Sequence, residues 1–288
     1  MAQPAIIAEN LNYRYGETVA VDHAAFEVAA GEILGFLGPN GAGKSTTQKM
    51  LTGQLRPQAG RAVLLGHDMA REAKLVQARI GVCFEQTNLY EQMSALDNLN
   101  LFAELFGVDG FDGFALLKRV GLAGRENDKV GGYSKGMKQR LMVARSLVNR
   151  PDILFLDEPT SGLDPVSSEA IDNIILEERR RGATVFLTTH DMWEADKLCD
   201  RVAFMDQGKI AALDAPRNLK LLYGRRSLVA EVAAPDGHLS RREITLDTAD
   251  TPHAVADLFD QGKIVTLHSE EATLEDIFIQ ITGRRLSE

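Results

Sequence analysis

The chain predicts an α/β fold: a mostly parallel sheet, a helical subdomain inserted into it, and a small C-terminal α+β appendage. Three observations carry this reading. The runs Ile33-Leu34-Gly35-Phe36-Leu37 and Ile153-Leu154-Phe155-Leu156 are apolar throughout, as strands buried on both faces are. Strand and helix patterns alternate from Pro151 onward, which favours parallel pairing. The residues between the two runs, from about 90 to 150, carry helical spacing instead, and the texture changes again beyond Leu219.

Taken in order, Ala5-Ile6-Ile7-Ala8 and Val19-Ala20-Val21 read as short strands with a turn at Tyr15-Gly16, and Ala25-Phe26-Glu27-Val28 as a third. The apolar strand up to Leu37 leads into a Gly-rich loop and a helix from about Lys44. In the insert, Leu96, Leu99, Phe102, Ala103 and Phe106 share a helical face before Gly107, and Leu116, Leu117 and Val120 do so before Gly121. After strand 153–156 come a helix at about 166–181, strand Thr184-Val185-Phe186-Leu187 and a helix at about 192–199. The appendage shows strand patterns at 228–232, 242–246 and 263–267. It adds a helix start at Thr251-Pro252 and a capping box at Thr273-Leu274-Glu275-Asp276. The expected domains are therefore 1–218, with a helical subdomain at about 87–150, and 219–288.

Bulk properties narrow the function. With 288 residues, 44% hydrophobic and 25% charged, the chain can build a core without disulfide or metal staples. A net charge of -9 argues against nucleic acid as a partner, because such binding rests on neutralising phosphates. The clusters Arg179-Arg180-Arg181, Arg225-Arg226 and Arg284-Arg285 do not alter this; the first and last fit helix C-termini, where cations are favoured. Cys83 and Cys199 both sit in apolar patterns and read as buried small hydrophobes, which suits a reducing cytosolic setting. The first residues lack the basic segment of a secretory signal, and no apolar run is long enough to span a bilayer. Any membrane role must be borrowed from a partner.

The strongest chemical signal is Gly38-Pro39-Asn40-Gly41-Ala42-Gly43-Lys44-Ser45-Thr46. It matches G-x-x-x-x-G-K-[ST] and lies between a buried strand and a helix, the setting that makes it a phosphate-binding P-loop. Glycines let backbone N–H groups wrap phosphates, and the helix start adds a favourable dipole. Lys44 is placed to reach the β- and γ-phosphates, and the Ser45 hydroxyl to ligate Mg²⁺. The other signal is the strand ending in Asp157-Glu158, which delivers two carboxylates to the rim of the sheet. Asp157 suits Mg²⁺ and Glu158 suits the attacking water. Together they specify a P-loop NTPase core.

Between these motifs stands Tyr133-Ser134-Lys135-Gly136-Met137-Lys138-Gln139-Arg140. It resembles the ABC signature Leu-Ser-Gly-Gly-Gln, matching at Ser134 and Gly136 and departing at Tyr133, Lys135 and Met137. The chain is thus similar to ATP-binding subunits of ABC transporters over about residues 5–215, in the variant paired with ABC-2-type exporters. Singly, Tyr15 reads as a turn or core aromatic, Gln86 as a surface polar residue and His190 as a structural histidine; their order inverts those readings. The resemblance implies that Tyr15 stacks on adenine, Gln86 is the Q-loop glutamine, Asp164 belongs to the D-loop and His190 is the switch histidine. It places Glu158, His190 and Gln86 at the catalytic centre and Ser45, Gln86 and Asp157 around Mg²⁺. Residues Gly38 to Thr46, with Tyr15, Ser134, Gly136 and Asp164, take ATP. It further implies an ATP-sandwich homodimer in which Ser134 and Gly136 cap nucleotide on the other copy, and integral-membrane permease subunits as partners. The chain then works at the cytoplasmic face of the membrane as an ATPase powering export. The ending Leu274-Glu275-Asp276-Ile277-Phe278 resembles drug- and antibiotic-export ATPases. Two alternatives stand: an importer ATPase, marked by a neighbouring gene for a secreted binding protein, and an ABC ATPase acting on a soluble assembly.

Overall fold

The computed structural model describes residues 3–224, 227–233, 238–246, 248–260 and 263–285; the Arg225-Arg226 cluster lies outside them. The chain divides into two compact units that part between Leu213 and Asp214.

The first unit opens with β1 (Ile6–Tyr15), β2 (Thr18–Val28), β3 (Ile33–Leu37), α1 (Lys44–Leu51), β4 (Ala59–Leu64), β5 (His67–Asp68), α2 (Met69–Gln77) and β6 (Ile80–Cys83). It continues with α3 (Ala95–Phe106), α4 (Gly113–Arg119), a 3₁₀ turn (Val130–Gly132), α5 (Lys135–Ser146), β7 (Ile153–Asp157), α6 (Pro165–Arg180), β8 (Thr184–Thr189), α7 (Met192–Leu198), β9 (Arg201–Asp206) and β10 (Lys209–Asp214). A six-stranded sheet runs β10-β9-β3-β8-β7-β6. Within it β9, β3, β8, β7 and β6 pair in parallel. Every residue of β3 and β7 is buried, as uninterrupted apolar strands require. A further sheet, β2-β1-β4-β5, is antiparallel. Phe26 of that sheet meets Phe36 at 5.2 Å between ring centroids, and Phe36 meets Phe186 at 5.2 Å, so one aromatic core joins both sheets.

Two of the differences from the sequence expectation have a local cause. The strand patterns at 19–21 and 25–28 are one strand, β2, and β1 runs on to Tyr15. Asn10 and His23 adopt positive φ, and β1 shifts register against β2 between Ala8 and Tyr13, which breaks the alternation that would have advertised a long hairpin. The other difference is the β9–β10 pair, which follows the α/β alternation without an intervening helix.

Local chemistry sets the helix starts. Ser94 caps α3, Asp112 caps α4, Ser134 caps α5, Asp164 caps α6 ahead of Pro165, and Asp191 caps α7, each accepting from backbone N–H groups of the first turn. Helices α3 to α5 lie between β6 and β7 and form the inserted helical region. Both cysteines are free and buried. Burial pushes the Cys83 thiol up to about 12, which leaves it inert.

The second unit holds α8 (Pro216–Tyr223), β11 (Ser227–Ala233), β12 (Leu239–Thr245), α9 (Thr251–Asp260), β13 (Lys263–Glu270) and α10 (Leu274–Thr282). Its antiparallel sheet runs β12-β11-β13. Ala230, Val232 and Leu258 form its core with Ile244 and Ile264. The capping box at Thr273 and Asp276 is present at the start of α10. Residue 218 lies inside α8, and α8 packs on α10, so the whole helix belongs to this unit.

Candidate functional site

The site is assembled at the C-terminal ends of three adjacent parallel strands. β3 ends at Leu37 and releases the Gly-rich loop, β7 ends at Asp157 with Glu158 next, and β8 ends at Thr189 with His190 next. Parallel pairing of β3 with β8 and of β8 with β7 forces these ends onto one rim.

Two glycines make the loop possible. A Cβ on Gly38 would stand 2.1 Å from the Met205 carbonyl oxygen, and one on Gly43 would stand 2.2 Å from that of Ala20. Gly43 also takes φ 109, a backbone conformation that only glycine adopts readily. The loop borders a cavity of about 470 Å³ whose walls include Tyr15, Pro39, Asn40, Gly41, Gly43, Lys44, Ser45, Thr46, Glu85 and Glu158. Gly38 and Ala42 sit behind it; Ala42 is buried and its carbonyl accepts from Gly208 N at 2.9 Å. The Tyr15 ring is half exposed and held edge-on by Tyr13 at 4.8 Å.

Lys44 is buried, and its ammonium donates to the carbonyls of Gly38 at 2.5 Å and Pro39 at 3.3 Å. It also lies 3.6 Å from Glu158 Oε1. Burial holds the Lys44 ammonium below its usual pKa, and Glu158, Asp157 and Glu85 pull the other way. Asp157 Oδ1 accepts from Ser45 Oγ at 3.2 Å and from the Thr188 hydroxyl. Glu158 is 8% exposed yet takes φ 49, a left-handed conformation that costs a side-chain-bearing residue energy. Its backbone N–H donates to Thr188 O at 2.9 Å, which holds it there. Its Oε2 lies 2.7 Å from His190 Nδ1, and its buried Oε1 has no hydrogen-bond partner.

The remaining sequence candidates sit elsewhere. Gln86 is exposed, and the cavity wall is formed by its neighbour Glu85. Ser134 is exposed and accepts from Met137 N at 3.3 Å. Gly136 packs against the start of α6, where a Cβ would come within 2.9 Å of Ser167 Oγ and 3.8 Å of Asp164 Oδ2. Asp164 accepts from Ser167 N at 3.0 Å, and hydrogen bonds from Ser167 hold its carboxyl below the usual range. The Lys135 ammonium lies over Gly162 of the same turn. Gly136 and Asp164 therefore stand together, and neither they nor Ser134 line the Lys44 cavity. Sequence reasoning missed Glu85 and Thr188. Glu85 belongs to no motif and is marked only by its place beside Gln86. Thr188 is one polar residue at the end of a buried strand, a pattern that carries no chemical signal of its own.

This arrangement fits a magnesium nucleotide. The loop is a cradle that Cβ atoms would fill. The buried Lys44 ammonium is partnered by loop carbonyls and a carboxylate, which phosphate oxygens would replace. Ser45 and Asp157 present paired oxygens to a hard cation. The ABC transporter family profile matches residues 21–161. A Mycobacterium tuberculosis protein named fluoroquinolones export ATP-binding protein is 46% identical over 98% of this chain and 94% of its own. This chain belongs to the ABC transporter ATP-binding proteins. As an ABC ATPase it binds ATP and hydrolyses it to ADP and phosphate. Nod factor export ATP-binding protein I of Paraburkholderia xenovorans is 37% identical over the full length of both chains. Among solved structures, an ATP-binding subunit of an ABC transporter superposes with a TM-score of 0.70 at 27% identity, covering 75% of this chain and 92% of that one. An ATP-binding cassette solved as a dimer in a post-hydrolysis state with ADP and Pi gives a TM-score of 0.67 at 26% identity, covering 73% and 98%.

Proposed function

We propose that this ABC ATPase drives export: two copies close around ATP and act on a separate membrane permease from the cytoplasmic face. The observation that carries the reading is the contact chain Lys44···Glu158···His190, which joins a phosphate-seeking cation, a buried carboxylate and a histidine across one rim. The full-length resemblance to two proteins named for export supports the direction.

In this reading Tyr15 stacks on the adenine, the loop from Gly38 to Thr46 wraps the phosphates, and Lys44 moves from Glu158 toward the γ-phosphate. Ser45, Asp157 and Gln86 would hold Mg²⁺, which would neutralise charge developing on the phosphate when bound. Glu158, then released from Lys44, accepts the proton of the attacking water, and His190 holds the carboxylate in place. Ser134, Gly136 and Asp164 serve the other copy's nucleotide, which is why they stand apart from their own cavity. Residues 1–213 form the ATPase domain and the remainder an accessory domain that clamps the dimer.

One groove of this chain suits a permease helix. A groove of about 360 Å³ is lined by Ile80, Phe84, Asn88, Phe102, Phe106 and Arg145, and Tyr90 stands 52% exposed nearby in sequence. We assign this face, with Leu89, Tyr90 and Glu91, to a helix of the membrane partner. No helix among the described residues is long and apolar enough to cross a membrane itself.

Glu158→Gln tests the reading. It keeps size and most hydrogen bonding but removes the proton acceptor, so turnover falls by about 10² or more while MgATP still binds. A long-lived ATP-dependent dimer then accumulates, visible by size exclusion with light scattering, and Ser134→Arg abolishes it. A Glu158→Gln protein that binds ATP but stays monomeric refutes the sandwich, and one that turns over at the wild-type rate removes Glu158 from the chemistry.

A further inference from the structure

Next to the Glu158–His190 pair lies a smaller cavity of about 190 Å³, bordered by both residues and by Thr160, Asp172 and Glu194. Glu194 is 3% exposed on α7. Its Oε1 accepts from the Thr160 hydroxyl at 2.7 Å, and its buried Oε2 has no hydrogen-bond partner. Thr160 stands in the turn that follows Glu158, and Glu194 stands one helical turn past His190. One side chain therefore ties together the two segments that present the catalytic pair. The tie is reinforced from the other end: Asp191 Oδ1 accepts from Trp193 N at 2.9 Å and Glu194 N at 3.0 Å, which fixes the start of α7 beside His190.

Packing alone does not account for this choice of residue. A carboxyl group buried with one oxygen unpartnered costs free energy that leucine or methionine at the same place would not. The 2.7 Å bond to Thr160, with the Thr189 hydroxyl beside it, is what the carboxyl adds.

We infer that Glu194 is a positioning residue for ATP hydrolysis, holding Glu158 and His190 in contact through its bond to Thr160. The inference rests on the reading that this pair carries the chemistry. Charged and titratable groups surround Glu194 on every side: Glu158 and His190 across the cavity, Asp172 from α6 with its partner Lys197 at 2.8 Å, Asp191 at the cap of α7, and Cys199 after its end. Burial pushes the Glu194 carboxyl up to about 7, the Thr160 and Thr189 hydroxyls oppose this, and Asp172 and Asp191 add to it. Loss of the proton strengthens the bond accepted from Thr160, because a carboxylate is the better acceptor. The tie therefore tightens as pH rises through about 7.

The experiment compares steady-state MgATP hydrolysis of the full chain across pH for Glu194→Ala, Glu194→Gln, Thr160→Val and Glu158→Gln. Glu194→Ala is expected to lower kcat about tenfold or more with KM changed less than about twofold, since placement and not binding is lost. Glu194→Gln keeps an acceptor for Thr160; it restores most of kcat and loses the rise near pH 7. Thr160→Val removes only the donor at constant shape and reproduces the kcat loss, which decides the matter if Glu194→Ala does not fold. Wild-type kcat in Thr160→Val, or an unaltered pH profile in Glu194→Gln, overturns the inference while a stalled Glu158→Gln leaves the proposed chemistry standing. A Glu158→Gln protein with normal turnover overturns both.

Discussion

The two units bury their strands differently. In the first, β3 and β7 are covered on both faces; in the other, β12 and β13 are mostly exposed and only one face is apolar. The buried charges follow that difference. Among the described residues, Lys44, Arg145, Asp157, Glu158, Asp172 and Glu194 are all buried in the first unit, and the polar side chain buried in the second is Ser227. A sheet sandwiched between layers keeps charged groups at its rim and on the covering helices away from water, where they act strongly on one another and on a substrate. A sheet with one wet face leaves fewer such positions, and among the described residues the second unit buries no charged side chain.

Four changes to the chain sharpen this contrast, in falling order of expected effect. Lys44→Ala strips the buried cation from the phosphate loop, so MgATP affinity falls by about 100-fold or more, measurable by titration calorimetry. Normal affinity would sink the P-loop assignment. Leu258→Ala opens a hole in the small core of the second unit and costs about 2–5 kcal/mol there. Amide exchange should quicken in β11 to β13 while MgATP affinity holds; a matching loss of affinity would mean that the two units are not independent. Leu267→Ser, at a position 41% exposed, should shift stability by no more than about 0.5 kcal/mol in a denaturant melt. A larger shift would reveal a covered surface. Truncation after Leu213 should leave nucleotide binding unchanged, because the first unit has its own core. An insoluble product would break the comparison outright.

How far the sequence reached depended on how local each signal was. The P-loop, the Asp157-Glu158 strand end and the capping box at Thr273 are short-range patterns, and each stands where its residues predict it. The Glu158–His190 contact spans 32 residues and was legible only through the order of motifs. The β9–β10 hairpin went unread although it carried a usable mark: Gln207 and Gly208 both take positive φ in a tight turn, which Asp206-Gln207-Gly208 could have signalled. β4 was harder, since half of Ala59–Leu64 is exposed and the strand owes its place to pairing with β1. Glu194 could not be read at all. A glutamate in an amphipathic helix has the pattern of a solvated residue until the fold shows which way it faces.

The left-handed backbone of Glu158 has a consequence for anyone who selects variants of this chain by heat resistance. That conformation costs a residue with a Cβ about 1–3 kcal/mol, and glycine would be relieved of much of it. A library ranked by melting temperature therefore sets that relief against the loss of the carboxylate beside the buried Lys44 ammonium, and it judges Glu158 on these two counts alone. Neither count registers turnover, so a screen that omits activity is blind to the residue on which the proposed chemistry depends.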